Sequence, residues 1–262
     1  MIYLITALDA EARALCDHYR LKRNGVLPYT LYTGDGVLLL VTGMGKSNAA
    51  MAVSALLGWR IPQPEDILIN IGICGAPSTY RVGEALVIHQ IIEGNRRYYP
   101  DILYTHPLRE SPLLCIDTPQ SDEAHYPVDM ESSGVFQAAS RFFKLHQMGY
   151  LKIVSDHFTP DTVTKEGVIH LIRSHLSTLD TLCRNLSAAH TVNSLFTHDE
   201  KGEIEAFKTH FTKSQGNLLE DALCYARLKN PSHALPLTNT PIPDSKRERS
   251  ALLEDLITTL TA

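Results

Sequence analysis

No two cysteines of this chain stand at Cys-x-x-Cys spacing, and their number is odd: Cys16, Cys74, Cys115, Cys183 and Cys224. Disulfide frameworks and cysteine-based zinc sites are poorly supported on both counts. The twelve histidines are scattered, with no HxxxH or HExxH pair, so no metal site is readable and none is expected. An excess of cation is lacking too. The formal net charge is -5 and the pI about 6.2, which argues against a nucleic-acid surface. Residues 1–8 are apolar, but Asp9 and Glu11 break the run at once. It is too short for a secretory signal and has no basic flank, and no other run approaches membrane-spanning length. The expected setting is cytoplasmic, with neither membrane nor nucleic acid as partner. No internal repeat is found.

What remains is the composition of a packed protein: 44% hydrophobic and 20% charged residues. A length of 262 residues suits one large α/β domain with an appendage. Short apolar runs rich in β-formers at residues 2–8, 67–71, 85–92, 113–116 and 151–155 read as strands, and 29–33 with 37–42 as a hairpin around Gly34-Asp35-Gly36. Asp9 stands where a helix N-cap belongs. Helical spacing marks residues 46–59, 130–145 and one long helix over 163–186. Short apolar strands alternating with amphipathic helices predict a three-layer α/β/α domain with a mixed, mostly parallel central sheet.

Composition shifts after about Ala188. Residues 203–211, 217–229 and 245–260 read as helices joined by a proline-rich loop, so the expected division is 1–188 catalytic and 189–262 a helical C-terminal extension. The extension holds 8 Lys and Arg against 10 Asp and Glu, which weakens any helix-turn-helix reading. Its stripes, Leu218, Leu219, Ala222, Leu223 and Ala226, then Leu252, Leu253 and Leu256, need burial against the main domain or a partner.

Gly43-Met44-Gly45-Lys46-Ser47 resembles the end of a P-loop, but Leu40 stands where the first glycine belongs. The dinucleotide fingerprint fails at Asn48. A glycine-rich strand-to-helix turn is left, and Asn70-Ile71-Gly72-Ile73-Cys74-Gly75-Ala76 is a second. Two such turns at the carboxyl ends of strands suggest a crevice along that sheet edge. Three carboxylates share the placement: Glu11 after the first strand, Glu131 in Asp129-Met130-Glu131, and Asp156 ending Lys152-Ile153-Val154-Ser155. Each alone reads as a helix-dipole partner or a cap. Together they would converge on one cleft.

In order, Ala7-Leu8-Asp9-Ala10-Glu11, Thr42-Gly43-Met44-Gly45-Lys46-Ser47-Asn48, Asn70 to Ala76, Val82-Gly83-Glu84-Ala85-Leu86-Val87, Val128-Asp129-Met130-Glu131-Ser132-Ser133-Gly134 and Val154-Ser155-Asp156 occur across roughly residues 1–185. This succession resembles the nucleoside phosphorylase superfamily, and within it the methylthioadenosine/S-adenosylhomocysteine nucleosidases. The resemblance implies cleavage of the N-ribosidic bond of a purine nucleoside by a homodimer without a cofactor. It implies Asp156 as the acid that protonates N7 of the base, with a pKa raised by burial, and Glu11 as the base that activates water. Glu131 would grip the ribose hydroxyls and Met130 pack on the sugar. Leu8, Met44, Ile73, Cys74, Gly75, Ser155 and Asp129 complete the implied substrate contacts.

Departures from the family pattern are Ile73 for a small hydroxyl residue, Cys74 for a small neighbour, Lys152 for an arginine, and a short stretch between His89 and Asp129. The last places the remodelled base pocket around Asp117-Thr118-Pro119-Gln120 and Tyr98-Tyr99-Pro100-Asp101. The phosphate-holding features of the superfamily's phosphorylases, a Gly-Asp-Pro turn and an arginine before the second glycine turn, are replaced by Leu8-Asp9-Ala10 and Asn70-Ile71-Gly72. Hydrolysis is therefore favoured, on a nucleoside of the methylthioadenosine, S-adenosylhomocysteine or 5′-deoxyadenosine type. A futalosine-type hydrolase, a purine nucleoside phosphorylase, and a catalytically weak nucleoside-binding module with a partner-binding extension stay open.

Overall fold

Apolar runs of strand length pair side by side where both faces can be covered, and the first unit of this chain is built on that rule. The computed structural model describes residues 1–118, 124–190, 195–230, 235–237 and 240–261, which divide into two units, Met1–Thr191 and Val192–Ala262. In the first, the strands are β1 (Ile2–Thr6), β2 (Lys22–Asn24), β3 (Thr30–Gly34), β4 (Val37–Val41), β5 (Ile67–Gly75), β6 (Ala85–Glu93), β7 (Arg96–Tyr98), β8 (Arg109–Cys115), β9 (Val128–Asp129) and β10 (Met148–Asp156). Its helices are α1 (Asp9–Tyr19), α2 (Lys46–Trp59), α3 (Ser132–Ala139), α4 (Lys165–Ser174) and α5 (Leu176–His190).

All these strands join one mixed sheet. Its path runs β10-β6-β8-β9-β5-β1-β4-β3-β2 with β7 beside β6. Because β10 also pairs with β5, the strands β10, β6, β8, β9 and β5 close into a ring. β1 runs parallel to β4 and β5, and β10 parallel to β5, so their carboxyl ends gather at one edge. Side chains alternate between two cores, as a pleated strand requires. Tyr3, Ile5, Leu38 and Leu40 face α2 and α3; Leu4, Leu39, Ile69 and Ile71 face α1, α4 and α5. The three-layer α/β/α class is thus the one expected.

Local differences have physical causes. Leu8, not Asp9, is the N-cap of α1, in extended backbone, with Asp9 already in the first turn. The helix expected from residue 130 begins at Ser132, because Val128 and Asp129 pair with Leu114 and Cys115 as β9. The single helix expected over 163–186 is two. It breaks at His175, whose Nε2 is hydrogen bonded to the Gly83 carbonyl at 2.8 Å. Short β2, β7 and β9 carry no periodic signal of their own and exist through their partners.

The second unit holds α6 (His198–Lys208), α7 (Lys213–Lys229) and α8 (Lys246–Thr261). The stripes expected to need an outside surface have one of their own. Leu219, Ala222, Leu223 and Ala226 of α7 pack with Leu253 and Leu256 of α8 and with Phe196, Ile204 and Phe207. Leu218 is the exception and is exposed. Thr212 caps α7 by accepting from Gln215 N–H while Gln215 Oε1 accepts from Thr212 N–H. Thr212→Ala should cost this unit about 1 kcal/mol, read as a lower melting midpoint in far-ultraviolet circular dichroism. An unchanged midpoint would show that the cap is redundant. Among the described residues no helix is long and apolar enough to cross a membrane.

Candidate active site

The carboxyl ends of β1, β4, β5 and β10 and the chain around β9 enclose a cavity of about 300 Å³. Its lining includes Leu8, Glu11, Met44, Ile73, Cys74, Gly75, Asp129, Met130, Glu131, Ser155 and Asp156. Every catalytic and substrate-contact residue implied by the resemblance is therefore brought to one place, though the described residues of the expected base-pocket segments are not. Ala7, Ile116, Val128, Phe158, Pro160 and Val163 also line it. Sequence reading missed these because apolar residues in turns carry no chemical signature. None of Tyr98, Tyr99, Pro100 and Asp101 is in the lining; Tyr99 is exposed and its hydroxyl accepts from Gln90 Nε2. Of the other expected base-loop segment, Pro119 and Gln120 lie outside the described residues, and Ile116, next to Asp117, is the residue that reaches the cavity.

Glu11 sits in the first turn of α1 and is buried. Its Oε2 accepts from the N–H groups of Ala7 and Leu8, and its Oε1 from Ile73 N–H, each at 2.9 Å. Gly72 makes this possible: a Cβ there would lie 2.7 Å from Glu11 Oε1. Burial pushes the Glu11 carboxyl above the usual carboxylate range, against the pull of those N–H groups and of Lys152.

Glu131 occupies the N-cap position of α3, and its Oε1 accepts from Gly45 N–H at 2.8 Å. The glycine turn thus points its N–H at a carboxylate of the chain itself. Burial, then the charge of Asp129, pushes Glu131 up to about 7. Lys152 answers both carboxylates. Buried within β10, its Nζ lies 2.9 Å from Asp129 Oδ2. Burial works against the ammonium, but Asp129, Glu131 and Glu11 outweigh it and hold the charge. Ser132 donates its N–H, at 3.1 Å, and its hydroxyl to the same Oδ2. A guanidinium could have bridged both carboxylate oxygens; a point-charge ammonium meets one. Asp129 Oδ1 is left buried without a protein partner among the described residues.

Asp156 is aimed by an irregularity. The β5–β10 register shifts between Val154 and Asp156, and such bulges redirect a side chain. Two residues on, Phe158 is buried in the left-handed region at φ 59°, a conformation that costs a non-glycine residue energy and tends to mark functional loops. Asp156 Oδ1 accepts from Thr159 N–H at 2.8 Å and Oδ2 from Ser155 Oγ–H at 2.6 Å.

Residues 2–125 match the sequence model of the Phosphorylase superfamily, and the first unit has a nucleoside phosphorylase-type fold. Within that class, solved structures it resembles include 5′-methylthioadenosine/S-adenosylhomocysteine nucleosidases. The enzyme from S. pneumoniae is 19% identical over 71% of this chain and 99% of that one, with a TM-score of 0.59. The Helicobacter pylori enzyme is 11% identical over 70% and 97%, at 0.60. The one from Neisseria meningitidis is 16% identical over 74% and 98%, at 0.55. At these identities the likeness is one of fold. No curated protein sequence matches the chain.

Proposed function

We propose that the protein hydrolyses the N-ribosidic bond of a 5′-modified purine nucleoside and releases the free base. The observation that carries this reading is the convergence of Glu11, Glu131 and Asp156 on one cavity of about 300 Å³. Breaking the C1′–N9 bond leaves positive charge on the ribose and an electron pair on the departing base. A carboxyl proton from Asp156 to N7 neutralises the base, and a water deprotonated by Glu11 supplies the hydroxyl that C1′ gains. Asp156 ends ionised and Glu11 protonated, and solvent restores both. The raised proton affinity of Glu11 suits a base working near neutrality. Glu131 accepts the ribose hydroxyls, and Asp129 Oδ1 offers a further buried acceptor. The S. pneumoniae structure holds a transition-state inhibitor, MT-ImmA, and the Neisseria meningitidis one methylthio-immucillin-A, which supports a nucleoside of the methylthioadenosine type.

Leu8, Met44, Ile73, Met130, Phe158 and Val163 make most of the lining apolar, which fits an apolar 5′ group. Among the described residues nothing basic lines the cavity to neutralise phosphate. Lys46, the lysine of the P-loop-like turn, is engaged by Glu93 and Asp117. A cytoplasmic homodimer is part of the proposal. The test is a panel of methylthioadenosine, S-adenosylhomocysteine, 5′-deoxyadenosine, futalosine and inosine, scored for free base with and without phosphate. Base release independent of phosphate, with a free sugar as co-product, is expected. A ribose 1-phosphate derivative as main product would make the enzyme a phosphorylase, and binding without turnover would reduce it to a nucleoside-binding module.

A further inference from the structure

Lys46 is the first residue of α2, where the helix dipole disfavours a cation, so its place needs a cause outside the helix. Its Nζ meets two carboxylates from different parts of the fold, Glu93 Oε1 at 2.7 Å and Asp117 Oδ1 at 2.9 Å. Glu93, at the end of β6, is itself held: its Oε2 accepts from the Tyr98 hydroxyl at 3.1 Å and from Gln137 Nε2 of α3 at 3.0 Å. The backbone of Lys46 is held as well, because a Cβ on Gly134 of α3 would run into the Lys46 carbonyl. Asp117 is different. Its side chain is 74% exposed, and among the described residues its partner is Lys46.

The two ends of this link both border the cavity. Gly45, the residue before Lys46, donates to Glu131, and Met44 lines the cavity. Ile116, the residue before Asp117, lines it too, and Ile116 N–H donates to the Asp129 carbonyl at 2.8 Å. We propose that Lys46 is a positioning residue: anchored on Glu93, it draws Asp117 in and so holds the Ile116 wall at a fixed distance from the glycine turn, setting how tightly the cavity closes on its nucleoside. The inference rests on the nucleoside reading of that cavity. Lys46 touches no substrate in this scheme. It acts on ground-state fit through Ile116, so its loss should appear in KM far more than in kcat.

The experiment is a double-mutant cycle of Lys46→Met and Asp117→Asn in the full chain, with Lys46→Arg as the conservative variant, on the best nucleoside of the panel. An exposed ion pair is worth little, so each single change should raise KM about two- to fivefold, with kcat changing far less. The double variant should match Lys46→Met rather than multiply the two effects, because each change already breaks the Lys46–Asp117 link. Lys46→Arg should restore KM. Wild-type KM should also rise with salt, and that rise should vanish in Lys46→Met.

Unchanged KM in Asp117→Asn, or multiplied effects in the double variant, overturns the inference while the hydrolase stands. If the wild type binds a nucleoside such as methylthioadenosine but does not hydrolyse it, the hydrolase reading fails, and the same cycle is read on Kd by calorimetry. A wild type that neither turns over nor binds any nucleoside of the panel overturns both.

Discussion

Asp156→Asn is expected to leave a folded protein whose base release falls by about 10²–10⁴-fold, the usual contribution of a positioned proton donor. The fold should survive because the neighbours accommodate an amide. Thr159 N–H can still donate to the side-chain oxygen. Ser155, whose Oγ also lies 3.1 Å from the Cys74 carbonyl, can turn its proton there and accept from the new N–H₂. What is lost is a proton that can be transferred to N7. An amide donates a hydrogen bond but does not give up its hydrogen at neutral pH. Base release and the thermal midpoint, measured on one sample, separate the two effects. Near-wild-type turnover in a folded variant would remove Asp156 from the mechanism.

Glu131→Gln should lower kcat/KM by about 10²–10³-fold, because hydrogen bonds to a charged acceptor are the strong ones and the ribose offers two donors. It should also alter the pH dependence. The grip needs the carboxylate, and Glu131 stands at about 7, so wild-type KM should rise as pH falls through that value. That component should be missing in the glutamine variant. The stability sign is opposite to the functional one. Because the folded-state value lies above the ordinary carboxylate value, Glu131 costs no stability while protonated in both states, costs stability increasingly as pH rises from the ordinary carboxylate value to about 7, and levels off above that. The glutamine keeps an oxygen for Gly45 N–H and carries no charge to desolvate. It should therefore melt no lower than wild type above about pH 7. A variant with wild-type KM at every pH would contradict the ribose assignment. A much lower melting point would make Glu131 a structural cap.

The second effect comes from burying carboxylates around one ammonium. Lys152 compensates Asp129, Glu131 and Glu11 at once, and all three carboxylates line the cavity. From the sequence Lys152 is only the lysine that stands in place of an arginine, with no sign of which way it faces. The alternation of β10 turns it inward on the side of Tyr150 and Val154, opposite Leu151 and Ile153. Its cation is kept because β9 brings Asp129 beside it, with Glu131 and Glu11 adding to the hold.

The residues of the site were legible from the sequence because each follows a strand or opens a helix, and strand runs such as 67–71 and 151–155 are set by local apolar content. Glycine turns and carboxylates at such ends are one-dimensional signals. The three-layer class was legible for the same reason. Element boundaries set by long-range pairing were not. β9 exists because Val128 and Asp129 find β5 and β8, and the break at His175 because its ring meets Gly83. The closing of β10, β6, β8, β9 and β5 into a ring is likewise a pairing property that no local run carries.

By itself the sequence determined the long apolar strands and the main helices of the sheet unit, and that the catalytic candidates sit at strand ends or open a helix. Local periodicity and turn chemistry suffice for that. Only the tertiary structure decided that Glu11, Glu131 and Asp156 share one cavity, that Lys152 is the buried counter-charge of Asp129, Glu131 and Glu11, that Ile116 rather than Tyr98 or Tyr99 supplies a wall, and that the helices of the second unit bury their stripes among themselves. Each of these depends on contacts between residues far apart in the chain, where burial and charge are set by neighbours the sequence does not place side by side.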